Sequence, residues 1–213
     1  MKNNNKPPAR TARRTLAGDE LAARILLHAR DVLYDRGAAG FSVRKVADAA
    51  GISIGHLQHY YPTLLDLHCA IVQWVSQDFA DYYADHVTAI DDPVDRLLAC
   101  ANYILERDEK KNHLALLREY WVLAMRDEQI SALLTRFYAA CRELAEDTLL
   151  DANAQLGRTE ARRRGCVAVS LLSGAFLYTN PSFDGTLAEE FRNHVRDEIR
   201  RLPFNRHGEL PAA

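Results

Sequence analysis

Side chains able to donate hydrogen bonds to bases or phosphates are concentrated in one stretch, SVRKVADAAGISIGHLQHYY, residues 42–61. Arg44, His56, Gln58 and His59 are the candidate donors there, and Ser42, Ser53 and Tyr60 add hydroxyls. The spacing around them fits two short helices joined by a tight turn. Ala47 is small where the helices must pack closely, Gly51 supplies the turn, and Val46, Ile52 and Leu57 are apolar anchors on either side. The second helix then presents Ile54, Gly55, His56, Gln58 and His59 outward, and Gly55 lets the backbone approach a phosphate or base edge. His56, Gln58 and His59 can donate to bases or phosphates in a major groove. His56 and His59 stand at i, i+3, a spacing compatible with a metal, but no cysteine or carboxylate cluster accompanies them. Neither a metal nor a cofactor is expected. Elsewhere carboxylates and histidines are scattered at helical surface spacing, with no nucleophile elbow, phosphate loop or metal motif, so no enzyme and no catalytic residue is expected.

The elements that hold this stretch follow from periodicity. Leu21, Ile25, Ala29, Val32 and Leu33 make one apolar face over 19–36, closed by Gly37. Ser42 and Ser53 are candidate N-caps for the two short helices, and the second must end before Pro62. A long helix is expected over 64–89, with Leu64, Leu67, Ile71 and Val75 inside. Asp92-Pro93 opens the next, through Leu105, which the charged stretch 107–112 ends. His113–Arg126 and a long helix from Asp127, closed by Gly157, come next. Two final helices over 159–179 and 185–202 are joined by TNPSFDG, which is turn chemistry. The fold class is all-α, with about nine helices: an N-terminal three-helix head and a C-terminal helical body.

Composition agrees. The chain has 213 residues, 48% hydrophobic and 26% charged, with 7 prolines and 10 glycines. Residues 1–68 carry ten Lys and Arg against six Asp and Glu, whereas the remainder carries seventeen against twenty-three. A basic N-terminal part on an acidic body suits a polyanion-binding head, or a basic disordered tail over the first 14 residues. Cys69, Cys100, Cys141 and Cys166 form no CxxC pair and read as reduced thiols, which points to the cytoplasm. No apolar segment follows MKNNNKPPARTARR, so it reads as a flexible arm, not a signal peptide. The uncharged stretch Cys166–Phe183 spans 18 residues broken by Ser, Thr, Asn and Pro, which suits a buried helix better than a membrane span.

From Ile25 to Leu67 the spaced pattern around FSVRKVADAAGISIGHLQHYY resembles the DNA-binding domain of the TetR family of repressors. The resemblance covers about a fifth of the chain. It implies a dimeric transcription regulator, with a basic arm over 1–18, a DNA-binding head over 19–79, a ligand-binding and dimerisation domain over 80–203 and a tail over 204–213. Carried over by position, Ser42, Val43 and Arg44 begin the helix that approaches DNA, with Arg44 as the candidate guanine contact. Ser53, Ile54, Gly55 and His56 lie where the family's recognition helix reaches bases, and Gln58, His59 and Tyr60 where it meets bases or phosphates. Two positions depart from the family: Gln58 replaces a common tyrosine, and Leu64 replaces a common phosphate-binding lysine. Tyr61 is expected in the core.

The implied partners are double-stranded operator DNA, a small-molecule effector and a second copy of the chain, with no membrane. Tyr103, Tyr120, Trp121, Phe137 and Cys141 are the expected effector lining, because they fall on the helices that enclose the pocket in the resembled family. Leu187, Phe191, Val195 and Ile199 form an i, i+4 stripe on the last helix, and Ala168, Leu171, Ala175 and Tyr178 form one on the helix before it. These stripes suit a four-helix dimer interface or an intramolecular core; the resemblance selects the interface. Arg162–Arg164 reads as a solvated face. A DNA-binding protein whose body docks a partner protein, with no ligand pocket, is the alternative.

Overall fold

The computed structural model describes residues 16–106, 116–175, 178 and 185–204. They form nine α-helices, with no strand among the described residues. In chain order these are α1 (Leu16–Gly40), α2 (Val43–Ala50), α3 (Ile54–Tyr60), α4 (Leu64–Tyr82), α5 (Pro93–Leu105), α6 (Leu117–Ala124), α7 (Glu128–Ala152), α8 (Arg158–Gly174) and α9 (Gly185–Arg201). The described residues fall into two compact units that divide between Leu67 and His68.

In the first unit, Gly37 adopts φ 62°, ψ 175°, so the regular turns of α1 stop at the residue that the sequence marks as its end. Ile25, Ala29 and Leu33 of α1, Val46 and Ala47 of α2, and Leu57 of α3 are buried together with Phe41. The Tyr61 hydroxyl donates to the Ala22 carbonyl at 3.2 Å, tying the end of α3 back to α1.

In the second unit, local chemistry starts the helices where expected. The Asp92 carboxylate accepts from the amides of Val94 and Asp95 at 2.7 and 3.0 Å, with Pro93 in the first turn. Asp127 accepts from Gln129 and Ile130 at 2.9 and 3.0 Å. Each such cap is worth about 1 kcal/mol. Leu97, Leu98, Ala101 and Leu105 of α5 pack with Leu149 of α7, Ala161 and Ala168 of α8, and Val195 and Ile199 of α9.

Four expectations change. The helix over 64–89 is α only to Tyr82; Tyr83–Val87 is a π-helix closed by Thr88 N–H donating to the Tyr83 carbonyl at 3.1 Å. The long helix from Asp127 ends at Ala152, not at Gly157, because Asn153 turns extended (φ −145°, ψ 94°) while its side chain donates to the Pro203 carbonyl. Gly157 instead precedes the first turn of α8. Arg164 is buried, not solvated: its Nε donates to Glu160 at 2.9 Å and its Nη1 to the Leu202 carbonyl at 2.6 Å. Residues 107–112, expected to end a helix, and His113 lie outside the described residues, as do residues 1–15 of the arm and most of TNPSFDG, whereas residues 16–18, expected in the arm, already belong to α1.

Candidate nucleic-acid interface and effector groove

The turn between α2 and α3 is built by backbone geometry. Gly51 sits at φ 67°, ψ 31°, the left-handed region where a β-carbon is disfavoured. Its N–H donates to the Asp48 carbonyl at 3.2 Å, and the Ile52 N–H to the Ala47 carbonyl at 3.1 Å, so the last carbonyls of α2 are satisfied. Ser42 accepts from the Lys45 amide at 3.4 Å and Ser53 from the His56 amide at 3.2 Å. Both serine hydroxyls, placed among the DNA-facing residues by resemblance, are therefore also caps.

Leu57 is fully buried and anchors α3, which leaves Ile54, Gly55, His56, Gln58 and His59 exposed on the opposite side. The Tyr60 ring is half-buried and lies 5.8 Å from the His56 ring and 5.3 Å from the His59 ring. On α2, Val43 is half-buried and Arg44 exposed. Two neighbours were missed in the sequence. Lys45 is exposed and donates from Nζ to the Gly40 carbonyl at 2.7 Å, which places a second cation beside Arg44. Thr63 and Asp66 bond reciprocally at the start of α4, Thr63 N–H to Asp66 Oδ2 at 2.8 Å and Asp66 N–H to Thr63 Oγ1 at 3.1 Å. The signal was present as T-x-x-D, a capping pair. Leu64 is 36% exposed beside it. Among the described residues no group of three or more His, Cys, Asp and Glu could hold a metal.

In the second unit, the expected effector lining divides. Tyr103 and Phe137 belong to a packed aromatic cluster: ring centres lie 5.5 Å apart for Phe79–Tyr103, 4.2 Å for Tyr82–Tyr103 and 6.2 Å for Phe79–Phe137. The Tyr103 hydroxyl also donates to Asp78. Tyr120 is fully buried and its hydroxyl lies 3.1 Å from Nδ1 of His68, whose burial lowers its pKa against a smaller opposing pull from Asp127. Burial raises the Cys141 thiol to about 12, with Cys100 adding to the shift. Of the five residues, only Trp121 reaches an open groove of about 640 Å³, which also takes Leu134, Tyr138 and Arg142 of α7 and Cys166, Ser170 and Ser173 of α8. Tyr103 and Phe137 pack against Phe79, and Tyr120 against His68, and none of the three lines this groove.

The expected dimer stripes divide in the same manner. Ala168, Ala175 and Val195 are 3%, 1% and 0% exposed within the single chain, so they have no surface left for a partner. Leu171 and Phe191 pack against that core from its margin. Val167 and Tyr178, at 41% and 46% exposed, and Leu187, at 45%, are the apolar side chains left outside. The i, i+4 stripe of α9 is thus largely an internal seam.

Residues 25–67 match the family described as bacterial regulatory proteins, tetR family. The chain is 27% identical, over 83% of its own length and 89% of the relative's, to an uncharacterised HTH-type transcriptional regulator in the dhlA 5′ region of Xanthobacter autotrophicus. A putative transcriptional regulator from Saccharomonospora viridis, solved in complex with choline, superposes with TM-score 0.77 at 17% identity over 85% of this chain and 96% of that one. AibR, solved with isovaleryl coenzyme A and operator DNA, superposes at 0.64 with 19% identity over 85% and 97%. Among the described residues no helix is long and apolar enough to cross a membrane.

Proposed function

We propose, from the premise that this chain is a transcription regulator carrying the TetR-family helix-turn-helix head on residues 25–67, that it is a dimeric repressor released from a palindromic operator by a small effector. The observation that carries this is the two-sidedness of α3: Leu57 fully buried behind, and Gly55, His56, Gln58 and His59 exposed in front, next to Arg44 and Lys45. Arg44 supplies a guanine contact, and Ser42, Val43, Ser53, Ile54 and Tyr60 frame the approach. The arm over 1–18 adds cations, the head extends over 19–79, and 80–203 senses the effector and dimerises, with the tail over 204–213. The protein works in the cytoplasm, where its DNA lies, and has no enzymatic role.

Pairing of two copies uses the apolar side chains still exposed on α8 and α9, Val167 and Leu187, supported from behind by Leu171 and Phe191. Leu187→Glu should therefore convert a species of about twice 24.0 kDa into a monomer that still unfolds cooperatively, with a melting temperature that no longer depends on protein concentration. A related fold binds both operator DNA and an acyl thioester of coenzyme A, which supports coupling of the two sites here. An effector that costs tenfold in DNA affinity needs about 1.4 kcal/mol of coupling. The test is a labelled operator complex challenged with small molecules and read by anisotropy. Release by a compound that also raises the melting temperature supports the proposal; a complex indifferent to every compound that stabilises the protein contradicts it.

A further inference from the structure

We infer that the groove among α6, α7 and α8 is the effector site, and that it takes a small anion with an aromatic body, such as an aryl carboxylate. This rests on the proposal that an effector exists. One wall is the Trp121 ring of α6, whose Nε1 donates to the Tyr138 hydroxyl at 2.8 Å. Ser173 of α8 lines the same groove, so the Trp121–Tyr138 pair faces a hydroxyl across it. Leu134 and the two ring faces give an apolar surface suited to a planar group.

The charge requirement comes from Arg142, one helical turn beyond Tyr138 on α7. It lines the groove, and its Nε is buried without a hydrogen-bond partner. Arg96 and Arg192 also hold an unpartnered Nε, but neither lines this groove. A buried donor left unmade is costly, so an acceptor arriving there recovers more than a surface contact would. The other tie of Arg142, Nη2 to Glu143 at 2.8 Å, runs to a carboxylate 64% exposed and contributes little. Gly165 of α8 holds the arginine's base in place: a β-carbon there would come within 3.1 Å of the Arg142 carbonyl and 3.5 Å of its Cγ. Tyr138 and Arg142 are separated by about 6 Å along the helix axis, so a ring resting on Tyr138 and Trp121 can extend a carboxylate to the guanidinium. Ser170 adds a hydroxyl on the facing wall.

The chain has two tryptophans, so Trp74→Phe leaves Trp121 as the single reporter. Benzoate, cinnamate and 3-phenylpropionate are titrated into that protein, each beside its neutral amide, and Trp121 emission is followed. The carboxylates should change emission saturably and the amides should bind at least tenfold more weakly. Arg142→Gln should reduce carboxylate affinity at least tenfold, to the level of the amides. Equal binding of acid and amide, indifference to Arg142→Gln in a protein that melts normally, or no response to any carboxylate overturns the inference. If Arg142→Gln does not fold, Ser170→Phe, which fills the groove from an exposed position without adding a second reporter, should abolish the ligand-dependent change, and its persistence overturns the inference equally. A groove closed by a second copy is detected at Cys166: protection from a thiol reagent in the dimer with reaction in the Leu187→Glu monomer also overturns it. Operator anisotropy separates the two proposals. Carboxylates that bind at Trp121 but leave DNA bound refute effector release and keep the site; compounds that release DNA without touching Trp121 emission refute the site and keep release.

Discussion

Gly55→Ala should move stability and DNA affinity in opposite directions. Gly55 lies in the first turn of α3, has an ordinary backbone conformation, and a β-carbon built on it meets nothing within 4 Å. Alanine therefore adds no clash and removes chain entropy from the unfolded state, a gain of about 0.5 kcal/mol at this helix end. For a chain of this size that is about 1–2 °C in Tm. If the bare backbone at Gly55 is where the head meets DNA, the added methyl costs about 1 kcal/mol or more per head by overpacking, a factor of about five or more in affinity per half-site. Differential scanning calorimetry and anisotropy on a duplex selected by the protein give the two numbers. Gly51→Ala is the control, because φ 67° makes alanine cost about 1–2 kcal/mol there although space is free; its Tm should fall. A Gly55→Ala protein that melts higher and binds DNA within twofold of the parent would refute the placement of Gly55 against the duplex.

Leu64→Lys should be tolerated, since the side chain is 36% exposed, and should steepen the slope of log affinity against log salt by about 0.9 per subunit; deletion of residues 1–14 should flatten it. Asp92→Ala removes an acceptor from two amides of α5 and should lower stability by about 1 kcal/mol, measured by urea denaturation. Burial holds His68 neutral in the fold, whereas the unfolded chain takes up a proton below about pH 6.5. Stability is therefore full above that pH and falls as the pH drops through it. His68→Gln should flatten Tm between pH 7.5 and 5.5 relative to the parent; an unchanged slope contradicts the assignment.

What was legible in the sequence was what local chemistry decides. Ser42, Ser53, Asp92 and Asp127 cap helices because short oxygen side chains reach the first amides whatever the rest of the chain does, and Gly51 ends α2 because the turn needs its left-handed φ. The hydrophobic period placed α3 with Leu57 inside and His56, Gln58 and His59 outside. What was not legible depended on partners distant in sequence. Val195 and Leu187 share one stripe, yet Val195 is consumed by α5 and α8 while Leu187 stays exposed, and spacing on α9 carries no record of that difference. Arg164 reads as surface charge within an Arg-Arg-Arg run, but the Leu202 carbonyl, 38 residues away, captures it. The packing of the sensor aromatics was not legible either: Tyr103 and Phe137 meet at Phe79 and Tyr120 meets His68, whereas Trp121 lines a groove with Tyr138 and Arg142.

The central claim, that the exposed face of α3 with Arg44 reads operator DNA as a pair of heads, is tested most directly by selecting bound duplexes from a randomised pool. The account predicts enrichment of an inverted repeat, with Arg44→Ala relaxing preference at one base pair in each half-site and costing about 1–3 kcal/mol on the selected site. A pool that stays unenriched, or that enriches a single unrepeated site equally well with Arg44→Ala, would contradict it.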